Sequence, residues 1–273
     1  MDYLIKQAPA DDGLRFIARG PEHGLKFIDF GILRLPAGAT GRYQFDGQET
    51  GLVVLSGRCA LTCGGTTYTG LGERADVFSG PAAAAYVPPG EAFTLAGERA
   101  AEIALALAPA ERPAGAARIV RPSDVRVNQR GRDNWSRQVH DIIDERVEAG
   151  RLLIGETFNP PGNWSSYPPH KHEQVLPGLE SKHEEVYYFK MNPSQGFALM
   201  RLYRDGGRDQ AIVVQDGDTV LLPDGYHPVA AAPGYQVYYL WILAGKERAL
   251  LMHDDPQHTW VKQPNASRPA DAL

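Results

Sequence analysis

Eight histidines punctuate the chain, and seven of them (His140, His170, His172, His183, His227, His253 and His258) fall in its second half. The densest group lies in PPHKHEQVLPGLESKHEEVYYF, from Pro168 to Phe189. On an extended strand, residues two apart face the same way, so His170 and His172 share a face while Lys171 turns to the other. A returning hairpin strand then supplies Glu184 or Glu185. Further on, GDTVLLPDGYHPV offers His227 just after a Pro-x-Gly turn. Three imidazoles and one carboxylate meeting inside a barrel make a site for a hard-to-borderline divalent ion, with open positions for substrate.

Such convergence needs a scaffold of short strands. Gly (29) and Pro (21) are spread along all 273 residues and cut the chain into many short segments, as in an all-β protein. Two stretches repeat one theme. Glu49 to Cys63 with Gly72 to Leu95 matches Glu184 to Arg204 with Val213 to Ala231: a Glu, an apolar run, a Gly-marked turn, a strand ending in Pro-x-Gly, and another apolar strand. The repeat predicts two β-sandwiches or barrels in tandem, residues 1–115 and 116–273. Ala108 to Asp124, rich in Ala, Pro and Arg, suits the connection. Ser136 to Ala149 reads equally as helix or strand. The tail from Gln263 to Leu273 is polar and predicted to fray. Cys59 and Cys63, in one predicted strand, lie about 13 Å apart, too far for a disulfide.

The second-half motifs resemble those of the cupin superfamily: His-x-His, a later Glu before x-x-aromatic, and Gly-x5-Pro-x-Gly followed by His. The pattern Glu185-Val-Tyr-Tyr188 selects Glu185, and alternation then puts Tyr187 and Phe189 on the inner face and Glu184 outside. The runs GNWSSYPPHKH, EEVYYF, GF…R.Y and GYHP…PGY…YYLW further resemble the 5-deoxy-glucuronate isomerases of inositol catabolism, which are bicupins. The resemblance implies two tandem jelly-roll barrels and a metal held by His170, His172, Glu185 and His227. It also implies an aldose–ketose isomerisation of 5-deoxy-D-glucuronate to 5-dehydro-2-deoxy-D-gluconate. Zinc suits a redox-neutral reaction, with Mn, Fe and Ni as the other candidates. The first barrel has no histidine in GRYQFDGQE and has Phe93 at the counterpart of His227, so it is predicted to be scaffold.

Around that centre, Glu156, Tyr187 and Tyr203 are the candidate proton shuttles, with a hydride shift between carbons as the other route. Arg201 could fork onto a substrate carboxylate, and it shares a strand face with Tyr203. Tyr238, Tyr239 and Trp241 read as sheet core, with Tyr239 also a candidate substrate contact. His140 and His183 could reach the mouth, whereas His23, His253 and His258 read as surface or structural. Metal affinity is predicted to fall as pH drops through roughly 6.

Composition sets the outer limits. Asp plus Glu (33) exceeds Lys plus Arg (28), a net charge of −5, which disfavours nucleic acid as partner. No apolar run approaches a membrane span, and MDYLIKQAPADDG lacks the features of a secretory signal, so the cytoplasm is the expected location. The expected partner is a small sugar acid, and pairing of open barrel edges would allow a homo-oligomer. Two other functional readings fit the ligands: a metal-dependent cupin dioxygenase and a non-catalytic sugar-binding cupin.

Overall fold

The computed structural model describes residues 2–7, 11–110 and 115–263. Pro264 to Leu273 of the tail expected to fray, and Glu111 to Ala114 of the connection, lie outside these residues. Among the described residues, helix is confined to 3-10 turns of three or four residues, and everything else regular is strand. The segment with two readings is strand, over Arg137–Ile143.

All the strands pair antiparallel, and each half is a sandwich of a large and a small sheet. In the first half, the large sheet runs Arg118–Val120, Ala84–Val87, Gln48–Ser56, Ala101–Pro109, Asp29–Leu35, Gly13–Ala18. In the second, it runs Leu4–Ile5, Thr219–Leu222, His183–Asn192, Gln236–Gly245, Leu153–Asn159, Arg137–Ile143, Arg126–Arg130. The halves therefore trade edge strands. Leu4 and Ile5 pair with Val220 and Thr219 of the second half, while Arg118–Val120 pairs with Tyr86, Ala85 and Ala84 of the first.

The two large sheets pack on each other, which explains why their strands read as unbroken apolar runs. On Gln48–Ser56, Leu52 and Val54 fill the first barrel, whereas Val53 and Leu55 join a core shared with the second half. On Gln236–Gly245, Val237 and Tyr239 face into the second barrel, while Tyr238, Leu240 and Ile242 face the shared core. Both faces are covered, so period-two alternation carries no polar face to mark them. Cys59 and Cys63 are buried free thiols on one face of Cys59–Cys63.

The expected hairpin after His172 takes a different form. His170–Lys171 pairs with His253–Asp254 near the C-terminus, and not along the Glu185 strand. The Glu185 strand lies instead between Thr219–Leu222 and Gln236–Gly245. One backbone bond, from the His183 N–H to the His172 carbonyl at 2.9 Å, ties the two pieces together.

Candidate metal centre

His172, Glu185 and His227 converge in the second barrel, with one potential ligand atom from each lying within 4.8 Å of the others. All three are buried. Glu185 shares the barrel-facing side of its strand with Tyr187, Phe189 and Met191, whereas Glu184 points the other way. His172 Nε2 is 3.1 Å from Glu185 Oε2, and His227 Nε2 is 3.3 Å from the same oxygen.

Hydrogen bonding behind the rings fixes their chemistry. His172 Nδ1 lies 2.9 Å from the carbonyl of His183, and His227 Nδ1 lies 2.9 Å from the carbonyl of Gly225. A carbonyl can only accept, so each Nδ1 carries the hydrogen and each neutral ring presents its Nε2 lone pair to the centre. The His227 Nε2 is buried and has no hydrogen-bond partner among the described residues. Two imidazole lone pairs aimed at one carboxylate oxygen repel unless a positive charge lies among them. A proton can relieve one such contact; a divalent ion relieves both, and the donor set suits it.

Electrostatics agree. Burial pushes His227 down to about 3, so it stays neutral across the physiological range. Burial opposes charge on His172 too, but the hydrogen bond and charge of Glu185 outweigh it and raise its pKa. His170 lines the adjoining cavity; its ring centroid is 5.0 Å from that of His227 and 6.3 Å from that of His172. It stands outside the compact three-residue group, and burial pushes it to about 3.

The cavity above the cluster measures about 380 Å³, ample for a sugar acid. Tyr187, Tyr239, Trp241 and Thr157 line it from the strands. The Tyr187 hydroxyl is 3.0 Å from Ser166 Oγ, and its ring lies 4.5 Å from Tyr239 and 5.8 Å from His227. Burial, then the nearby Glu185 charge, raises the Tyr187 pKa well above its ordinary value, so the phenol keeps its proton.

Three residues expected here lie elsewhere. Glu156 is on the opposite face of its strand, fully buried between the halves. Arg74 of the first half grips it through Nη1 at 3.2 Å and Nη2 at 2.5 Å, and the Tyr238 hydroxyl donates to it at 2.8 Å. Its environment is a buried ion pair rather than a cavity wall. Arg201 projects outward with Phe197 and Leu199 and forks onto Asp209, at 2.9 and 2.8 Å. Tyr203 donates to Asp255 at 2.6 Å and stacks on Tyr226.

The remaining histidines and Lys171 also find structural settings. His140 is buried beside Glu156, 3.9 Å away, and His183 packs against His172. Lys171 pairs with Glu173 at 2.7 Å. In the first barrel, Phe93 is buried and packs with Tyr43 and Phe45.

Arg137 was not singled out by the sequence, yet it lines the cavity. Its Nη1 donates to the carbonyls of Trp135 and Tyr167, both at 3.1 Å. The available signal was parity: Arg137, Val139 and Asp141 alternate on one face, and all three line the cavity. The competing helical reading of the segment hid it.

Among the described residues, no helix is long and apolar enough to cross a membrane. Comparison with known proteins places the chain in context. The 5-deoxy-glucuronate isomerase of Geobacillus kaustophilus is 42% identical over 242 residues, covering 88% of this chain and 87% of that protein. The one from Geobacillus thermodenitrificans is 40% identical over 95% of both. An IolB-like protein of Salmonella typhimurium superposes with a TM-score of 0.91 at 31% identity, over 96% of this chain and all of that one. Bacillus subtilis oxalate decarboxylase shares the bicupin fold, with a TM-score of 0.62 at 13% identity, covering 90% of this chain and 76% of that one. The KduI/IolB family profile matches residues 3–261. Taken with relatives alike over nearly their whole length, that match settles the assignment: the chain belongs to the KduI/IolB family and is an isomerase.

Proposed function

We propose that this isomerase converts 5-deoxy-D-glucuronate to 5-dehydro-2-deoxy-D-gluconate, with a divalent metal held by His172, Glu185 and His227 and with His170 as the adjoining fourth donor. The observation that carries the reading is the pair of Nε2 lone pairs aimed at one carboxylate oxygen beneath a cavity of sugar-acid size. Relatives of near-equal length named as 5-deoxy-glucuronate isomerases support the substrate.

Aldose-to-ketose conversion moves one proton from C2 to C1 and one from the C2 hydroxyl to the C1 oxygen, with no net oxidation. A bound divalent ion supplies Lewis-acid polarisation of the carbonyl and charge stabilisation for the enediolate. The chain's own groups supply the rest. Tyr187, protonated and steadied by Ser166, can donate a hydrogen bond to an oxygen as it gains charge. Tyr239, Trp241 and Leu243 give the cavity an apolar wall that limits water near the reacting carbons.

The test is an NMR assay of 5-deoxy-D-glucuronate conversion, coupled to elemental analysis of the purified protein. Stoichiometric metal with conversion to the 5-keto acid is the expected result. Metal-free protein that isomerises at full rate would remove the metal reading, and no conversion would remove the substrate.

A further inference from the structure

The cavity contains a pair of arginines that its metal chemistry does not use. Arg130 and Arg137 sit directly opposite each other on adjacent antiparallel strands, so their side chains leave the sheet on the same side. Both line the cavity. Like charges in that cross-strand position repel, and the arrangement becomes favourable when an anion sits between them.

Other cavity groups do not fill that role. No carboxylate of the described residues lies within ion-pair distance of Arg137 or Arg130. Asp141 feels the Arg130 charge but is hydrogen-bonded to Asn128 at 2.7 Å, and Asp254 is paired with Lys262. Elsewhere in the molecule, Arg74, Arg146 and Arg201 each hold an acid, and the pKa of each is raised. Arg137 alone among these four is lowered, first by burial.

The Arg137 side chain is also pre-positioned. Both Nη1 hydrogens are taken by the carbonyls of Trp135 and Tyr167, which leaves the Nε–Nη2 edge as its free fork. Gly131, at φ 73°, makes room for it, because a Cβ there would come within 2.8 Å of Nη1 and 2.2 Å of the Trp135 carbonyl oxygen.

We infer that Arg137, backed by Arg130, is the anion anchor of the cavity and takes the substrate carboxylate through its Nε–Nη2 edge while the aldehyde end faces His172, Glu185 and His227. This inference rests on the uronate reading above and adds the residue that makes the site choose an acid over a neutral sugar.

The experiment compares 5-deoxy-D-glucuronate with its neutral amide, using the wild type, Arg137→Met, Arg137→Lys and Arg130→Met. Arg137→Met should raise KM for the acid by between about 10- and 100-fold and leave kcat/KM for the amide within about twofold. Arg137→Lys should fall between the two, because it keeps charge without the fork. Arg130→Met, which removes no backbone bond, should give a smaller loss of the same kind. Equal losses on acid and amide, or an unchanged acid-to-amide ratio in all three variants, would overturn the anchor. Should the wild type convert neither compound, the uronate reading fails. Calorimetric binding of D-glucuronate against D-glucuronamide then decides the anchor separately: a wild-type preference for the acid that Arg137→Met abolishes supports it, and any other result removes it.

Discussion

Glu49 and Glu184 occupy equivalent places in the two barrels, and each carboxylate accepts three backbone N–H groups from the opposite half. Glu49 holds Gly150, Arg151 and Leu152, and Glu184 holds Lys26, Phe27 and Ile28, the latter at 2.6–2.7 Å. These are the acids that open the two copies of the sequence repeat. The repeat thus encodes a reciprocal clasp as well as two similar folds. Removing either acid leaves three N–H donors without their acceptor, and bonds to charged groups are the strong kind. Glu184→Ala and Glu49→Ala should each lower unfolding free energy by at least about 3 kcal/mol in urea titrations. An unchanged midpoint would show that water replaces the clasp without cost.

The ion-pair network around Glu156 yields a second prediction. Breaking a buried pair by neutralising one member typically costs about 3–5 kcal/mol, because the other charge is stranded. Glu156→Gln should therefore destabilise the protein strongly and leave kcat of the folded fraction within about twofold. Adding Arg74→Met should recover part of the lost stability. A selective collapse of kcat in stable Glu156→Gln protein would return this residue to the catalytic list.

Metal retention tests the centre directly. His227→Ala and His172→Ala should each lower metal affinity at least about tenfold, read as metal content after dialysis. The structure also refines the expected pH response. His170 and His227 are pushed to about 3 by burial and carry no competing proton near neutrality, whereas the pKa of His172 is raised. Only the His172 proton competes with the ion, so affinity should drop by about tenfold per pH unit below that pKa. A thousandfold drop per unit would mean that all three imidazoles titrate together.

Stability should follow pH through His140. Its ring is buried, both nitrogens lack hydrogen-bond partners among the described residues, and burial lowers its pKa from the ordinary 6.5. The folded state then binds fewer protons than the unfolded chain below pH 6.5. The contribution is fully present above that value and is lost as pH falls, by at most about 1.4 kcal/mol per unit for one group. Denaturant midpoints measured at pH 7.5 and 5.5 should converge in His140→Phe relative to the wild type. Parallel slopes in the two proteins would contradict this.

Much of this site was readable from the chain. His172, Glu185 and His227 stood out because ligand residue types recur at strand spacing beside turn signals, while the choice of Glu185 over Glu184 came from the resemblance of Glu185-Val-Tyr-Tyr188 to the cupin pattern. Parity failed wherever both faces of a sheet are covered. On Leu153–Asn159 both faces are buried, so residue types alone do not tell the barrel lumen from the seam between halves, and Glu156 stayed among the shuttle candidates. On Phe197–Tyr203, exposed Phe197 and Leu199 made the outer face as apolar as the inner one, which left the side of Arg201 undecided. The pairing of His170–Lys171 with His253–Asp254 joins two-residue strands distant in sequence, too short to leave any pattern.

The swapped edge strands bear on how the protein could be taken apart. Leu4 and Ile5 border the very sheet that carries Glu185, so the imidazole-bearing barrel is finished by a piece of chain made some two hundred residues before His227. Cutting between the repeats would yield two fragments, each missing a border and each holding the other's.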